Sequence, residues 1–120
     1  NITSINFNDT TDYTVLISDD IIYINLTVDG TTKNIITLPG TIGRTNDLLV
    51  PSASDYSFFA HCNSGGGAVT LNGTGDISTT PIDLSTYAAA TGISSPAYAR
   101  YRFTYIATDT LLMDISYPGI

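Results

Sequence analysis

Asp19 and Asp20 are adjacent, and two carboxylates with separated pKa values are the minimum equipment for general acid and base hydrolysis. Neighbouring strand residues point to opposite faces, and Ser18-Asp19-Asp20 interrupts an apolar run, so the pair is expected to serve a turn. His61 and Cys62 would also project oppositely from a strand and could not share a metal or act as base and nucleophile. With one His and one Cys in the chain, neither a zinc site of several thiolates nor an HExxH arrangement can be assembled. Ser64 to Gly67 is glycine-rich like a phosphate-binding loop, but no Lys follows and no helix begins there, so a hairpin loop is expected. Oxygen donors at Asn8, Asp9 and Asp12 suit calcium, although their spacing is not that of an EF-hand. The sequence therefore predicts no catalytic residue, no metal and no cofactor.

Binding chemistry is better supplied. Tyr provides eight of the aromatic residues, and an exposed Tyr near Asp or Asn can hold a polyol. Tyr56 follows a turn-rich stretch, while Tyr87 and Tyr98 flank an Ala-rich turn. Arg100 and Arg102 share one face of a strand, where they could clamp a carboxylated ligand such as an acidic sugar. An ion pair between Arg102 and Asp114 across a hairpin is the favoured alternative. The candidates for ligand or receptor contact, expected in exposed loops, are Asp47, Asp55, Tyr56, Tyr87 and Tyr98, with Arg100 as an anion contact. Asn-x-Thr patterns at Asn1, Asn8, Asn25 and Asn72 arise readily in a Thr-rich chain and carry little weight.

The elements that must position these residues follow from composition. The 120 residues suit one domain, and they contain no Glu, no Gln and a single Lys, the straight-chain types that sustain exposed helices. Thr, Ile, Tyr, Val and Phe take their place, with Gly, Asn, Asp and Ser for turns, so the expected class is all-β. A net charge of -7 repels phosphate backbones and anionic lipid, which argues against nucleic-acid partners. No stretch approaches the length of a membrane-spanning helix, and no membrane insertion is expected. The lone Cys excludes an intramolecular disulfide.

About eight short strands are legible. Residues 1–12 read as a leading segment, linker or short edge strand, followed by a strand from Tyr13 to Ile17. IIYINLTVDGTTKNIITLPG, residues 21 to 40, reads as two arms folded at Asp29-Gly30, ending where Pro39 has no N–H to donate. These first strands are expected to form an antiparallel meander. Both faces of the first arm are apolar: Ile22 and Ile24 on one, Ile21 and Tyr23 on the other. The second of these faces must meet another sheet or a neighbouring subunit. Residues 41 to 55 read as a long connection, Tyr56 to Leu71 as a hairpin about the Ser-Gly loop, and residues near Ser85 as one or two helical turns. A closing hairpin, Tyr98 to Ile106 and Leu111 to Tyr117 about a three-residue turn, would set Phe103 opposite Ile115 and Arg102 diagonal to Asp114. The whole suggests an antiparallel β-sandwich or jelly-roll.

YTVLISDDIIYINLTVDGTTKNIITLP, followed by DYSFFAHCNSGGGAVTLNGTGDI and a closing hairpin, resembles the distal domains of phage tail fibres and other viral fibre heads. The matching parts are Tyr13 to Val15, Asp19-Asp20, Ile36 to Pro39 and Gly65 to Ile77. The resemblance implies a C-terminal head fragment of a longer fibre protein, located at the virion surface outside the cell. It further implies a homotrimer that attaches the particle to a host-cell receptor, such as a glycan, without catalysis. Ile21 and Tyr23 would then lie at the subunit interface. The rival expectations are a lectin-like carbohydrate-binding module of a cellular protein and a purely structural spike or trimerisation domain.

Overall fold

Over the first six strands of this chain, successive strands lie in opposite sheets. The computed structural model describes residues 2–7, 12–26, 34–51, 58–63, 67–84 and 98–116. In chain order the strands are β1 (Ile2–Phe7), β2 (Tyr13–Thr14), β3 (Ile21–Leu26), β4 (Asn34–Pro39), β5 (Thr45–Pro51) and β6 (Phe58–Asn63). There follow β7 (Thr70–Leu71), β8 (Thr74–Asp76), β9 (Ile82–Asp83), β10 (Tyr98–Ala107) and β11 (Thr110–Ser116). They form a seven-stranded sheet, β1-β3-β5-β10-β11-β7-β8, and a four-stranded sheet, β2-β4-β6-β9. The all-β, sandwich-like class expected from composition is the class the chain adopts.

The pairing is mixed rather than antiparallel throughout. From β1 to β6 the chain winds as a coil, one strand in each sheet per turn, so strands two apart in sequence run the same way. Hence β1, β3 and β5 pair in parallel, as do β2, β4 and β6. This overturns the expected meander: β3 and β4 are not a hairpin but belong to different sheets. Residues 27–33, including Asp29-Gly30, lie outside the described residues. Of the two apolar faces of β3, the one with Ile22 packs into the core, and the one with Ile21 and Tyr23 is half-buried on the other side of its sheet. The hairpin expected about the Ser-Gly loop fails for the same reason, since β6 and β7 lie in different sheets. The expected strand from Tyr13 to Ile17 shortens to Tyr13–Thr14.

The core is the space between the sheets. Ile22, Leu48, Tyr101, Phe103, Tyr105 and Met113 project from the larger sheet towards Ile36, Leu38, Ala60 and Cys62 of the smaller one. Period-2 alternation is strict in β4, where Asn34, Ile36 and Leu38 are buried and their neighbours half-buried.

Two turns are set by backbone conformation. Thr41 to Arg44 closes with Arg44 N–H donating to the Thr41 carbonyl at 3.1 Å, and Gly43 takes φ +85°, the third-position requirement of a type II turn. Asn72-Gly73 joins β7 to β8 with φ of 51° and 79°, both positive as in a type I′ hairpin.

The closing hairpin is present with its register moved by two residues. Phe103 pairs Met113, Tyr101 pairs Ile115 and Arg102 stands directly opposite Asp114. Ala107 pairs Thr110, leaving a two-residue turn and an irregularity between Tyr105 and Ala107. A shift of two preserves which residues face inward, so the buried set was legible although the pairing was not. The helix-like piece near Ser85 lies outside the described residues.

Candidate functional site

The outer face of the seven-stranded sheet gathers four of the sequence-predicted binding and interface residues. Side chains alternate, so the neighbours of buried Ile22, Leu48 and Phe103 point away from the smaller sheet. The register then lays Ile2, Ile21, Asp47, Arg102 and Asp114 in one row across five strands. Ser4, Tyr23, Leu49, Arg100 and Ser116 form the next. The rows are about 7 Å apart, two residues along a strand. Ile21 and Tyr23, expected at a subunit interface, are half-buried here and face away from the second sheet.

Asp47 was expected in a loop and is instead a strand residue. Residues 41 to 55 are not one long connection, because β5 pairs with β10 from Thr45 to Pro51. Arg102 grips Asp47 with both prongs, Nε to Oδ1 at 2.8 Å and Nη2 to Oδ2 at 2.9 Å. The Asp47 hydrogen bonds, and then its charge, raise the Arg102 pKa. The expected Arg102 ion pair with Asp114 is thus displaced: Asp114 is the register neighbour, but Asp47 supplies the bidentate geometry. Arg100 donates from Nε to the Ser116 hydroxyl at 3.0 Å and is half-buried. Tyr98 opens β10, where its backbone pairs with Pro51. Asp55, Tyr56 and Tyr87 lie outside the described residues.

A second constellation surrounds Asp19, and sequence reasoning missed it. Asp19 is 3% exposed, and its carboxylate accepts hydrogen bonds from the Thr3 hydroxyl, the Tyr13 hydroxyl at 2.5 Å and the Leu16 N–H at 2.9 Å. Its carbonyl accepts from Asn46 Nδ2 at 2.7 Å and from the Arg44 guanidinium. Burial pushes the Asp19 pKa up, but the bonds from Thr3, Tyr13 and Leu16 and the Arg44 charge outweigh it and hold the carboxyl below its usual range. Asp19 is a structural anion that joins β1, β2 and β5, more than the turn residue expected. No local pattern marks it, because its side-chain donors Thr3, Tyr13, Arg44 and Asn46 all stand outside its own turn in the sequence.

The remaining chemical candidates are also occupied. Asp76 Oδ1 accepts from the Ser78 hydroxyl at 2.7 Å, the Ser78 N–H at 2.9 Å and the Val69 N–H at 3.1 Å, which lower its pKa. Cys62 is fully buried, and burial pushes its thiol up to about 11, where it is neither nucleophile nor ligand. His61 points the other way from β6 and is half-buried. Asp12 accepts the Ile35 N–H at 2.8 Å, while Asn8 and Asp9 lie outside the described residues. Among the described residues no three His, Cys or Asp side chains converge as a metal site would require.

Comparison with known proteins returned no neighbour. No family model, curated protein or solved structure matches this chain.

Proposed function

We propose that this chain is a non-catalytic attachment domain of a viral or phage fibre, contacting a host-cell surface receptor through the outer face of its seven-stranded sheet and the adjoining loops. The observation that carries this reading is the juxtaposition of Tyr23 and Leu49 with Arg100 and the Asp47–Arg102 pair on one face. An aromatic and an aliphatic side chain beside a guanidinium suit an acidic sugar, where the ring plane packs on apolar carbon and the carboxylate meets Arg. The resemblance of the strand and turn order to fibre heads supports the same reading. So does the structural use of Asp19, Asp47 and Asp76, since carboxylates already held by donors are poorly placed for acid and base work. Several copies on one particle would convert weak single-site binding into avidity.

The test is a glycan array and a panel of intact host cells probed with the labelled chain and with a Tyr23→Ala, Arg100→Ser double variant of unchanged circular dichroism. Saturable binding that weakens about tenfold or more in the variant supports the proposal. Binding that the variant retains in full moves the site elsewhere, and no binding on any surface favours a structural spike.

A further inference from the structure

The two sheets end in four edge strands, and three of them are blunted. β2 and β9 have two residues each, and β8 has three, with Gly75 at φ +74° and the charged Asp76. Short edges, charges and distorted backbone are the devices that keep sheet edges from pairing with other chains. β1 has none of them. It runs six residues, Ile2–Phe7, in unbroken register with β3, and contains no Pro, Gly or charged residue. Among the described residues no strand pairs with its other side.

We infer that β1 is a self-association edge, at which a second copy of this chain adds its own β1 in antiparallel fashion across a two-fold axis. A like partner meets no local charge repulsion along this strand despite the net charge of -7. β1 and β3 together carry no charged residue; among the described residues Asp20 precedes β3, and the outer-face ion pair Asp47–Arg102 begins on the next strand inward. Two copies pairing along residues 2–7 therefore bring no charged strand residues against each other. A two-fold axis normal to the sheet keeps outer face with outer face, so residues of equal parity must oppose one another. The register centres on Ser4 or Ile5, and the result is one continuous sheet of fourteen strands, twice the seven of each copy, with both smaller sheets on the same side. Ile2, which is 73% exposed, and the half-buried Ile21 and Tyr23 then border the junction.

This contact is independent of the attachment reading, and it closes with two copies where the resemblance implies three. The test is the solution mass of the whole chain by light scattering coupled to size exclusion, with amide hydrogen exchange of β1. Twice the 12.7 kDa chain mass and slowed exchange along residues 2–7 are expected. Ser4→Lys, an exposed edge position, should return the mass to that of one chain with unchanged circular dichroism and faster exchange in β1. Leu112→Lys, also exposed but on β11, should leave the dimer intact. A wild-type monomer, a mass three times that of the chain, or a dimer that survives Ser4→Lys would overturn the inference. Host-cell binding by a monomer would end this inference and leave the attachment reading standing.

Discussion

The Tyr13 hydroxyl donates to Oδ2 of Asp19 at 2.5 Å, and through this bond a residue of the smaller sheet holds the loop that leads into the larger one. Thr3 donates to the other carboxylate oxygen, so β1 is fastened by a side chain as well as by its ladder with β3. The pair titrates in opposite directions: burial, the Asp19 bond and the Asp19 charge push Tyr13 up to about 12, while Asp19 is held low.

Acid should therefore unfold the protein partly through Asp19. Its folded pKa lies below the unfolded value of about 3.9, so its contribution is complete above that value and disappears as pH falls through the folded pKa. Asp19→Asn should cost about 1–3 kcal/mol at neutral pH, because a buried charged acceptor is lost and an amide N–H₂ faces donors. As pH falls below the unfolded value the difference from wild type should shrink. Urea unfolding of both proteins across this range measures it, and a difference that stays constant with pH would remove Asp19 from the acid transition.

The alkaline limb has the reverse sign. Tyr13 contributes stability that is complete below its unfolded pKa of 10.0 and is lost as pH rises through about 12. Ultraviolet titration of wild type and Tyr13→Phe should show a late-ionising tyrosine in the folded protein that the variant lacks. A normal titration of all tyrosines would contradict the hydrogen-bonded geometry.

Local patterning revealed the class and the inward faces, but not the winding. β10 and β11 alternate clearly, so Tyr101, Phe103 and Tyr105 read as core even in a displaced register. β5 is not legible as a strand because its first residues, Thr45, Asn46 and Asp47, are polar. Their polarity is satisfied by partners distant in sequence: Asn46 by the Asp19 carbonyl, Asp47 by Arg102, and Thr45 by Thr104 at 3.2 Å. Parallel pairing was illegible for a related reason, since a turn dipeptide between two apolar runs does not say whether the second run joins the same sheet or the opposite one. Of the candidate site, Ile21, Tyr23, Asp47 and Arg100 share one face only because of this winding.

The thiol of Cys62 should be inert in the folded protein. It is fully buried on the inner face of β6 and pushed up to about 11 by burial alone, so almost none is thiolate at neutral pH. A chromogenic disulfide reagent should label it only at the rate of unfolding and immediately in concentrated urea. Rapid labelling of the native protein would mean that β6 opens without global unfolding.

The Asp47–Arg102 pair should matter little for stability. The Arg102 side chain is 46% exposed and that of Asp47 13%, so salt reaches the pair from the Arg102 side, although bidentate geometry makes this one better than most. Asp47→Asn and Arg102→Gln should each shift the unfolding midpoint slightly at low ionic strength and not at high. A double-mutant cycle at two salt concentrations reads the coupling, and a large salt-independent value would show that the pair is effectively desolvated.

Asn72 should be the costliest polar surface residue to replace near β11. Its side chain takes the place of a strand beyond the two residues of β7: Oδ1 accepts the Met113 N–H at 2.8 Å and Nδ2 donates to the Met113 carbonyl at 3.2 Å. Its own N–H donates to Leu111, and its backbone holds φ 51°, a left-handed conformation that Asn tolerates better than Ala. Asn72→Gly keeps the backbone freedom and loses the two side-chain bonds, at about 1–2 kcal/mol. Asn72→Ala adds the conformational cost and should lose about 2–4 kcal/mol. Denaturant unfolding separates the two effects, and equal values for the variants would assign the whole loss to the bonds with Met113. The same bonds predict that the Asn72-Gly73-Thr74 pattern stays unmodified in a folded chain offered to a glycosylating system, because the amide nitrogen is already engaged. Mass spectrometry of peptides containing Asn72 checks this, and a glycosylated Asn72 in protein with native circular dichroism would show that the Met113 contact is dispensable.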